Sequence, residues 1–294
     1  MLMLLELCLC GILLFPFARA EDPGLWILTQ YPDQSGNQGM CYSLADPASG
    51  DLILIDGGWT ANADQVRAVI RAHGDRVRAW FLTHYHADHI GAFNALYGEY
   101  RDRIGAVYVT PLPWEDFIAA VKSYDTPESF EAFLRLTEGD EKVIPLSRGA
   151  EFDLGIFHVQ NFNAYDETAV KAKDIPNNCS LVLKFSAGSR SVLFCGDAHG
   201  SKMSKELIRR FGDRLKADLV QPGHHGNHSL TQVFYEHVNP KVMMFDAPEW
   251  LMAGDSYTAK DLKAWCDARG IRVFDYSTAP NVFTEHGLSG LSSR

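Results

Sequence analysis

Three histidines and an aspartate fall within six residues in the run Thr83-His84-Tyr85-His86-Ala87-Asp88-His89-Ile90-Gly91, directly after the apolar stretch Ala79-Trp80-Phe81-Leu82. Neutral imidazole and carboxylate are the ligand types that a borderline cation such as zinc takes. Side chains alternate along an extended segment, so His84 and His86 share one side and Asp88 and His89 are left for another. A run this dense can serve two metal ions when the backbone bends into a loop. A solvated, His-rich turn would rarely follow a strand as apolar as this one and then lead into a helix.

The rest of the chain supplies the scaffold for such a loop. Short apolar runs at 25–31, 39–46, 51–58, 76–83 and 106–110 read as strands, and 63–74 and 129–139 read as helices that stop at Gly74 and Gly139. The second half repeats the pattern: strands at 156–162, 180–185, 191–196, 217–223, 241–247 and 271–276, and helices at 204–212, 231–238 and 261–270. Strands followed by helices in both halves predict an α/β layered protein. The polar, His-rich pieces all fall just after strands, at loop positions where sites commonly sit. No repeat or composition break divides the chain after residue 21, so 21–294 reads as one domain.

Composition excludes several classes. With 46% hydrophobic and 22% charged residues, the chain is neither wholly disordered nor a multi-span membrane protein. The formal charge of −10 argues against a stable complex with long nucleic acid, which needs a basic face. It leaves room for a small anionic substrate neutralised by bound metal. Met1 to Ala20 is an apolar run ending in Ala18-Arg19-Ala20, the small-x-small pattern of a cleaved secretory signal, although no Lys or Arg precedes it and Glu6 and Pro16 interrupt it. The signal reading implies a secreted or periplasmic protein with no membrane span once it is removed. The alternative, a buried helix or a misplaced start, implies a cytoplasmic one. Cys41, Cys179, Cys195 and Cys266 lie far apart with no CxxC pair, so they form no disulfide framework, and Cys179 and Cys195 read as buried thiols.

Three further landmarks follow strands: Asp56-Gly57-Gly58, Phe194-Cys195-Gly196-Asp197 and Pro222-Gly223-His224-His225-Gly226. Together with HYHADH, in this order, they resemble the metallo-β-lactamase superfamily over roughly residues 25 to 275. The resemblance implies an αββα four-layer sandwich: two mixed sheets face to face, helices outside, metals at one sheet edge. It implies two divalent metal ions, zinc foremost with manganese or iron as alternatives. His84 and His86 would hold the first, Asp88 and His89 the second, and Asp197 would bridge them. Asp56 would stand behind the ligands and brace the loop. His224 and His225 compete for one remaining ligand role; the family's PGH pattern favours His224 and the doubled histidine leaves His225 open. The family often has a further histidine before the bridging aspartate, but here the stretch is Ile175-Pro176-Asn177-Asn178-Cys179-Ser180-Leu181-Val182-Leu183. Water or Asn178 would then fill the first site. His158, nearby, reads as a core or face histidine. The NNxSLVL and GHHG patterns resemble the branch that contains ComEC and the phosphorylcholine esterases.

Such a pair of cations lowers the pKa of water and neutralises charge in the transition state, which suits hydrolysis of an ester, amide or phosphodiester without a nucleophilic Ser or Cys. Asp197 would act by bridging the metals, Asp88 could orient the hydroxide, and His228 could donate a proton to the leaving group or be a surface residue. His199 is similarly placed and less persuasive. Lys202, Lys205, Arg209 and Arg210 could approach phosphates, but Glu206 and Asp213 interrupt them, which favours a solvated helix face. Pro111 to Trp114 and Tyr165-Asp166-Glu167 could line a cleft or serve packing. His73, His237 and His286 carry no pattern. The branch resemblance leans toward a phosphodiester or other phosphorylated small molecule. A hydrolase of lactams, lactones or thioesters is the alternative, and a non-catalytic binding module is disfavoured by the intact ligand runs.

Overall fold

The computed structural model describes residues 24–123, 125–171, 173–275 and 280–287. The expectations for Met1–Ala20 and for Tyr276 lie outside the described residues. The strands are β1 Ile27–Gln30, β2 Cys41–Ala45, β3 Leu52–Asp56, β4 Ala79–Leu82, β5 Val107–Val109, β6 Val143–Pro145, β7 Glu151–Leu154, β8 Phe157–Asn161, β9 Leu183–Ala187, β10 Arg190–Phe194, β11 Leu219–Gln221, β12 Val242–Met244, β13 Arg272–Phe274 and β14 Asn281–Thr284. The helices are α1 Ala63–Ala72, α2 Ala87–Tyr100, α3 Trp114–Ala120, α4 Pro127–Thr137, α5 Glu167–Val170, α6 Ile175–Asn178, α7 Gly200–Phe211, α8 Gln232–Val238, α9 Glu249–Ala253 and α10 Ala259–Ala268. None of the described helices is long and apolar enough to cross a membrane.

Two seven-stranded sheets form, in the orders β14-β1-β2-β3-β4-β5-β6 and β13-β12-β11-β10-β9-β8-β7. Each is mixed. In the first, β14 to β3 pair antiparallel and β3 to β6 parallel. In the second, β13 to β10 pair parallel and β10 to β7 antiparallel. The alternation of side chains explains why the central strands β3, β4, β10 and β12 carry continuous apolar runs. Ile53, Ile55 and Phe81 face the other sheet, while Leu54, Trp80 and Leu82 face helices α1, α2 and α4. Likewise Val192, Phe194, Leu219 and Val242 point between the sheets, and Leu193, Val220 and Met243 point to α7, α8 and α10. A strand buried on both faces reads as a continuous hydrophobic run. The αββα arrangement follows from those three cores.

The helices obey the complementary rule. α1 buries Val66 and Ile70 and ends before Gly74, whose φ of +76° supplies the left-handed stop. α7 buries Met203 and Leu207, leaving Lys202, Lys205, Arg209 and Arg210 exposed. Glu206 pairs with Arg209 and Arg210, so the basic helix is a solvated, internally paired face. β9 begins later than the apolar run at 180–185 suggests. Asn177 and Asn178 close α6, and Leu181 N donates to the Thr83 carbonyl at 2.9 Å, which holds 180–182 outside the ladder. The four described cysteines are buried and unpaired, with Cys179 directly after α6 and Cys195 directly after β10. Burial pushes the Cys266 thiol up to about 12 and the other three higher.

Five of the parallel strands, β3, β4, β10, β11 and β12, lead to Asp56, the 83–89 segment, Asp197, the 223–226 turn and Asp246. Open α/β sheets place their ligands outside the carboxyl ends of parallel strands, and here two sheets contribute such ends.

Candidate metal centre

The centre is built on a braced turn. Asp56 ends β3 with φ +52°, an uncommon conformation for a residue with a side chain. From there its carboxylate accepts Thr83 N–H at 2.7 Å and Thr83 Oγ1–H at 2.6 Å, and reaches His89 Nδ1 at 2.6 Å. Gly57 N donates to the His89 carbonyl at 2.8 Å, so the turn after β3 and the start of α2 are tied in both directions. Helix α2 lies so close to the 59–60 turn that a Cβ on Gly91 would stand 2.4 Å from Thr60 N. That contact places Asp88 and His89 in the first turn of the helix, over the end of β4.

The side chains then fall into two groups: His84, His86 and Asp197, and Asp88, His89 and His225, with the ligand atoms of each group within 4.8 Å of one another. In the first, His84 Nε2 lies 3.1 Å from His86 Nδ1 and 3.8 Å from Asp197 Oδ2. In the second, His225 Nε2 lies 3.2 Å from Asp88 Oδ2. Asp197 joins the two: Oδ1 is 3.2 Å from His89 Nε2 and Oδ2 is 3.5 Å from His225 Nε2. The donor set fits two divalent cations. His89 Nε2, His225 Nε2 and Asp197 Oδ1 are buried and lack a hydrogen-bond partner, a costly state unless a cation meets them. The tautomers agree. Thr83 Oγ1 gives its proton to Asp56 and stands 3.2 Å from His84 Nδ1, so His84 carries its proton there and turns a lone pair toward His86. His89 likewise presents Nε2, with Nδ1 held by Asp56.

Without cations the charges balance through protons. Burial opposes the charged form of Asp197, but His225, His89 and His84 outweigh it and hold its carboxyl well below the usual range. Asp88 is lowered against its burial by His89 and His225. Burial works against a charge on His225, yet Asp197 and the contacts to Asp88 push it up to about 10. His89 is raised well above normal against its burial by Asp197, Asp56 and Asp88. His84 goes the other way: burial, then the neighbouring His89, depress it well below the imidazole range.

Not every residue that the sequence nominates arrives at this centre, and physical reasons separate them. His224 and His225 are consecutive left-handed residues, with φ of +52° and +54°. His225 is the one brought into the second group; His224 lines the cavity above it with Nδ1 2.7 Å from the Asn227 carbonyl. Asn178 turns away: Nδ2 donates to the Lys173 carbonyl and Oδ1 accepts His199 N–H, so both ends of its amide are engaged elsewhere. His228 and His199 line a different cavity, beside Ser229 and Thr231, and not the one over the two groups. His199 Nε2 also lies 3.4 Å from Asp174. His158 sits on an outer face beside Asp153. Trp114 packs on Phe117 and Phe130, and Tyr165 bonds Asp116, so neither lines this cavity.

The cavity, of about 130 Å³, has His86, Asp88, Asp197 and His225 in its wall, with Gln38, Trp59, Asp125, Thr126 and Asn177 around them. Two carboxylates went unnoticed in the sequence, Asp125 in this wall and Asp246 within electrostatic reach of His225 and His89. Asp246 is fully buried, receives hydrogen bonds from Tyr42 and Gln30, and is pushed up to about 7 by burial. It follows an apolar strand, the signal that singled out Asp56 and Asp197. Asp125 sits in the α3–α4 loop, where no local pattern marks it.

The Metallo-beta-lactamase superfamily profile matches residues 35–242. The chain belongs to the metallo-beta-lactamase superfamily. Among solved structures of this superfamily's fold, YhfI from Bacillus subtilis aligns with a TM-score of 0.55 at 13% identity, over 87% of this chain and 99% of YhfI. CmlA, a diiron beta-hydroxylase from Streptomyces venezuelae, aligns with a TM-score of 0.56 at 16% identity, over 88% of this chain and 54% of CmlA. The chain therefore spans about half the length of CmlA. Identities this low concern the fold alone. No curated protein sequence matches.

Proposed function

We propose that this metallo-beta-lactamase-fold protein is a metal-dependent hydrolase acting on a phosphodiester or a related phosphorylated small molecule. The observation that carries the reading is the pair of donor groups joined by Asp197 beneath an open cavity. Two divalent cations held there, zinc by the imidazole and carboxylate donors, would lower the pKa of a water and neutralise charge on the substrate. The protein's own residues do the positioning. Asp197 spans both groups and sets their separation. Asp88, in the cavity wall, orients water. His224, with Nδ1 tied to the Asn227 carbonyl, leaves Nε2 for the substrate.

Charge supports the phosphorylated class. Among the described residues that line the cavity, Asp88, Asp125 and Asp197 are acidic and none is Lys or Arg. A phosphodiester carries its charge at the reacting centre, where the metals meet it. The separate carboxylate of a cephalosporin would meet no Lys or Arg among the described residues of that wall. The Asn177 to Leu183 run and the GHHG turn support placement near ComEC and the phosphorylcholine esterases within the superfamily.

The test uses purified protein. Metal content is measured by elemental analysis, beside turnover of bis-p-nitrophenyl phosphate, a chromogenic cephalosporin and a simple lactone. Close to two metals per chain with phosphodiester turnover, lost in His86→Ala and Asp197→Ala, is the expected result. Cephalosporin or lactone turnover alone moves the substrate to the second class. Iron without hydrolysis points instead to oxidative chemistry of the kind named for CmlA. No metal uptake overturns the hydrolase.

A further inference from the structure

We propose that Asp125 is the carboxylate that fixes His86 in its metal-binding tautomer, which makes the loop between α3 and α4 part of the first metal site. The inference rests on the dinuclear reading above and concerns a residue outside its ligand set. His86 turns Nδ1 toward His84 Nε2, 3.1 Å away. His84 holds its own proton on Nδ1 against Thr83, so its Nε2 is a lone pair. Two facing lone pairs at that distance are reconciled by a cation between them, and His86 must then carry its proton on Nε2. That atom is buried and lacks an aligned hydrogen-bond partner. The carboxylate within reach is Asp125, with Oδ1 at 3.3 Å. The Asp125 side chain is only 1% exposed, and its other oxygen accepts Lys122 N–H at 2.7 Å, so the loop itself aims the carboxylate.

The comparison with the other histidines sharpens the point. His89 has Asp56 behind it and His84 has Thr83, both from the ends of strands in the first sheet. His86 alone of these three draws its outer partner from a loop. Among the described residues, the first group has His84, His86 and Asp197 as its His, Cys or carboxylate donors. A site with few ligands depends strongly on how each is held, and loss of an outer carboxylate typically costs about 10–100-fold in metal affinity. Asp125 and Thr126 line the substrate cavity as well, so the residue that orients the ligand also shapes the wall that substrate meets.

The experiment titrates metal-free full-length protein with Zn²⁺ against a chromophoric chelator, without substrate. Wild type is expected to take up two cations. Asp125→Ala should weaken one site by about 10–100-fold and leave the other unchanged. Asp125→Asn, whose amide oxygen still accepts a hydrogen bond, should keep both within a few-fold. A measurement that needs no variant accompanies it: in zinc-loaded wild type labelled with ¹⁵N-histidine, the His86 ring should show a proton on Nε2. Two unchanged sites in Asp125→Ala, or a His86 proton on Nδ1, overturns the role of Asp125 and leaves the dinuclear reading intact. Wild type that binds fewer than two cations overturns the dinuclear reading itself, and this inference with it.

Discussion

Asp246 is a buried acid that the proposed chemistry does not use, and its environment has a measurable consequence. Tyr42 and Gln30 both donate to Oδ1, Asn281 anchors Gln30, and Oδ2 has no partner. Burial, only partly offset by His225 and these bonds, raises its pKa from 3.8 to about 7. In that window the folded protein keeps a proton that the unfolded chain has released. Stability must therefore fall as pH rises from about 4 to about 7 and stay lower above it. A gap of about three pH units at 1.36 kcal/mol each is on the order of 4 kcal/mol. Asp246→Asn preserves the acceptor and has no proton to lose. In metal-free protein the stability difference between variant and wild type should grow in the variant's favour across this window and level off near pH 7. Urea melts at several pH values measure it, and a difference that does not change with pH means Asp246 stays ionised.

At the scale of elements, α2 carries the most consequence. It delivers Asp88 and His89 and rests its Gly91 directly on the 59–60 turn. Gly91→Ala places a Cβ against backbone, which cannot rotate away as a side chain would. Overpacking of this kind costs about 1–3 kcal/mol, and displacement of the helix start should weaken metal binding at the second site. Gly98 is in the same helix, exposed, with nothing within 4 Å of an added Cβ. Gly98→Ala should stabilise by about 0.5–1 kcal/mol through the lost freedom of the unfolded chain. Opposite shifts in urea midpoint for two identical substitutions seven residues apart would show that the helix–turn contact, not helix propensity, governs Gly91. Similar shifts for both would refute it.

For the whole molecule, metal and proton would compete for the proposed centre. In the metal-free protein His225 is pushed up to about 10, so its proton stabilises the fold below about pH 6.5 and is lost as pH rises through 10. A bound cation displaces that proton. The stabilisation by zinc at fixed free zinc should therefore increase with pH between 6.5 and 8.5, by about 1.4 kcal/mol per pH unit for each proton displaced. The gap in Tm between zinc-loaded and chelator-treated protein should widen accordingly. A gap that is constant over this range would mean that His225 is neutral before metal arrives.

The layered α/β plan is legible in the sequence, because strands buried on both faces must carry continuous apolar runs, and 52–55, 79–82, 192–195 and 242–245 are such runs. The sequence by itself also determined the dense ligand run, since four donors in six residues need no tertiary information to be seen. Weak signals hid β6 and β7, whose residues are largely exposed or half-buried, and β14, which exists by pairing with β1 across more than 250 positions. Tertiary placement separates His224 from His225, because two successive left-handed residues send neighbouring rings to different partners, and His225 is the one grouped with Asp88 and His89. Only that placement removed Asn178 and His228 from the centre and brought in Asp125. Those outcomes depend on partners that no sequence pattern marks: the Lys173 carbonyl that takes the Asn178 amide, the Thr258 hydroxyl that accepts from the His228 amide, and the Lys122 amide that aims Asp125.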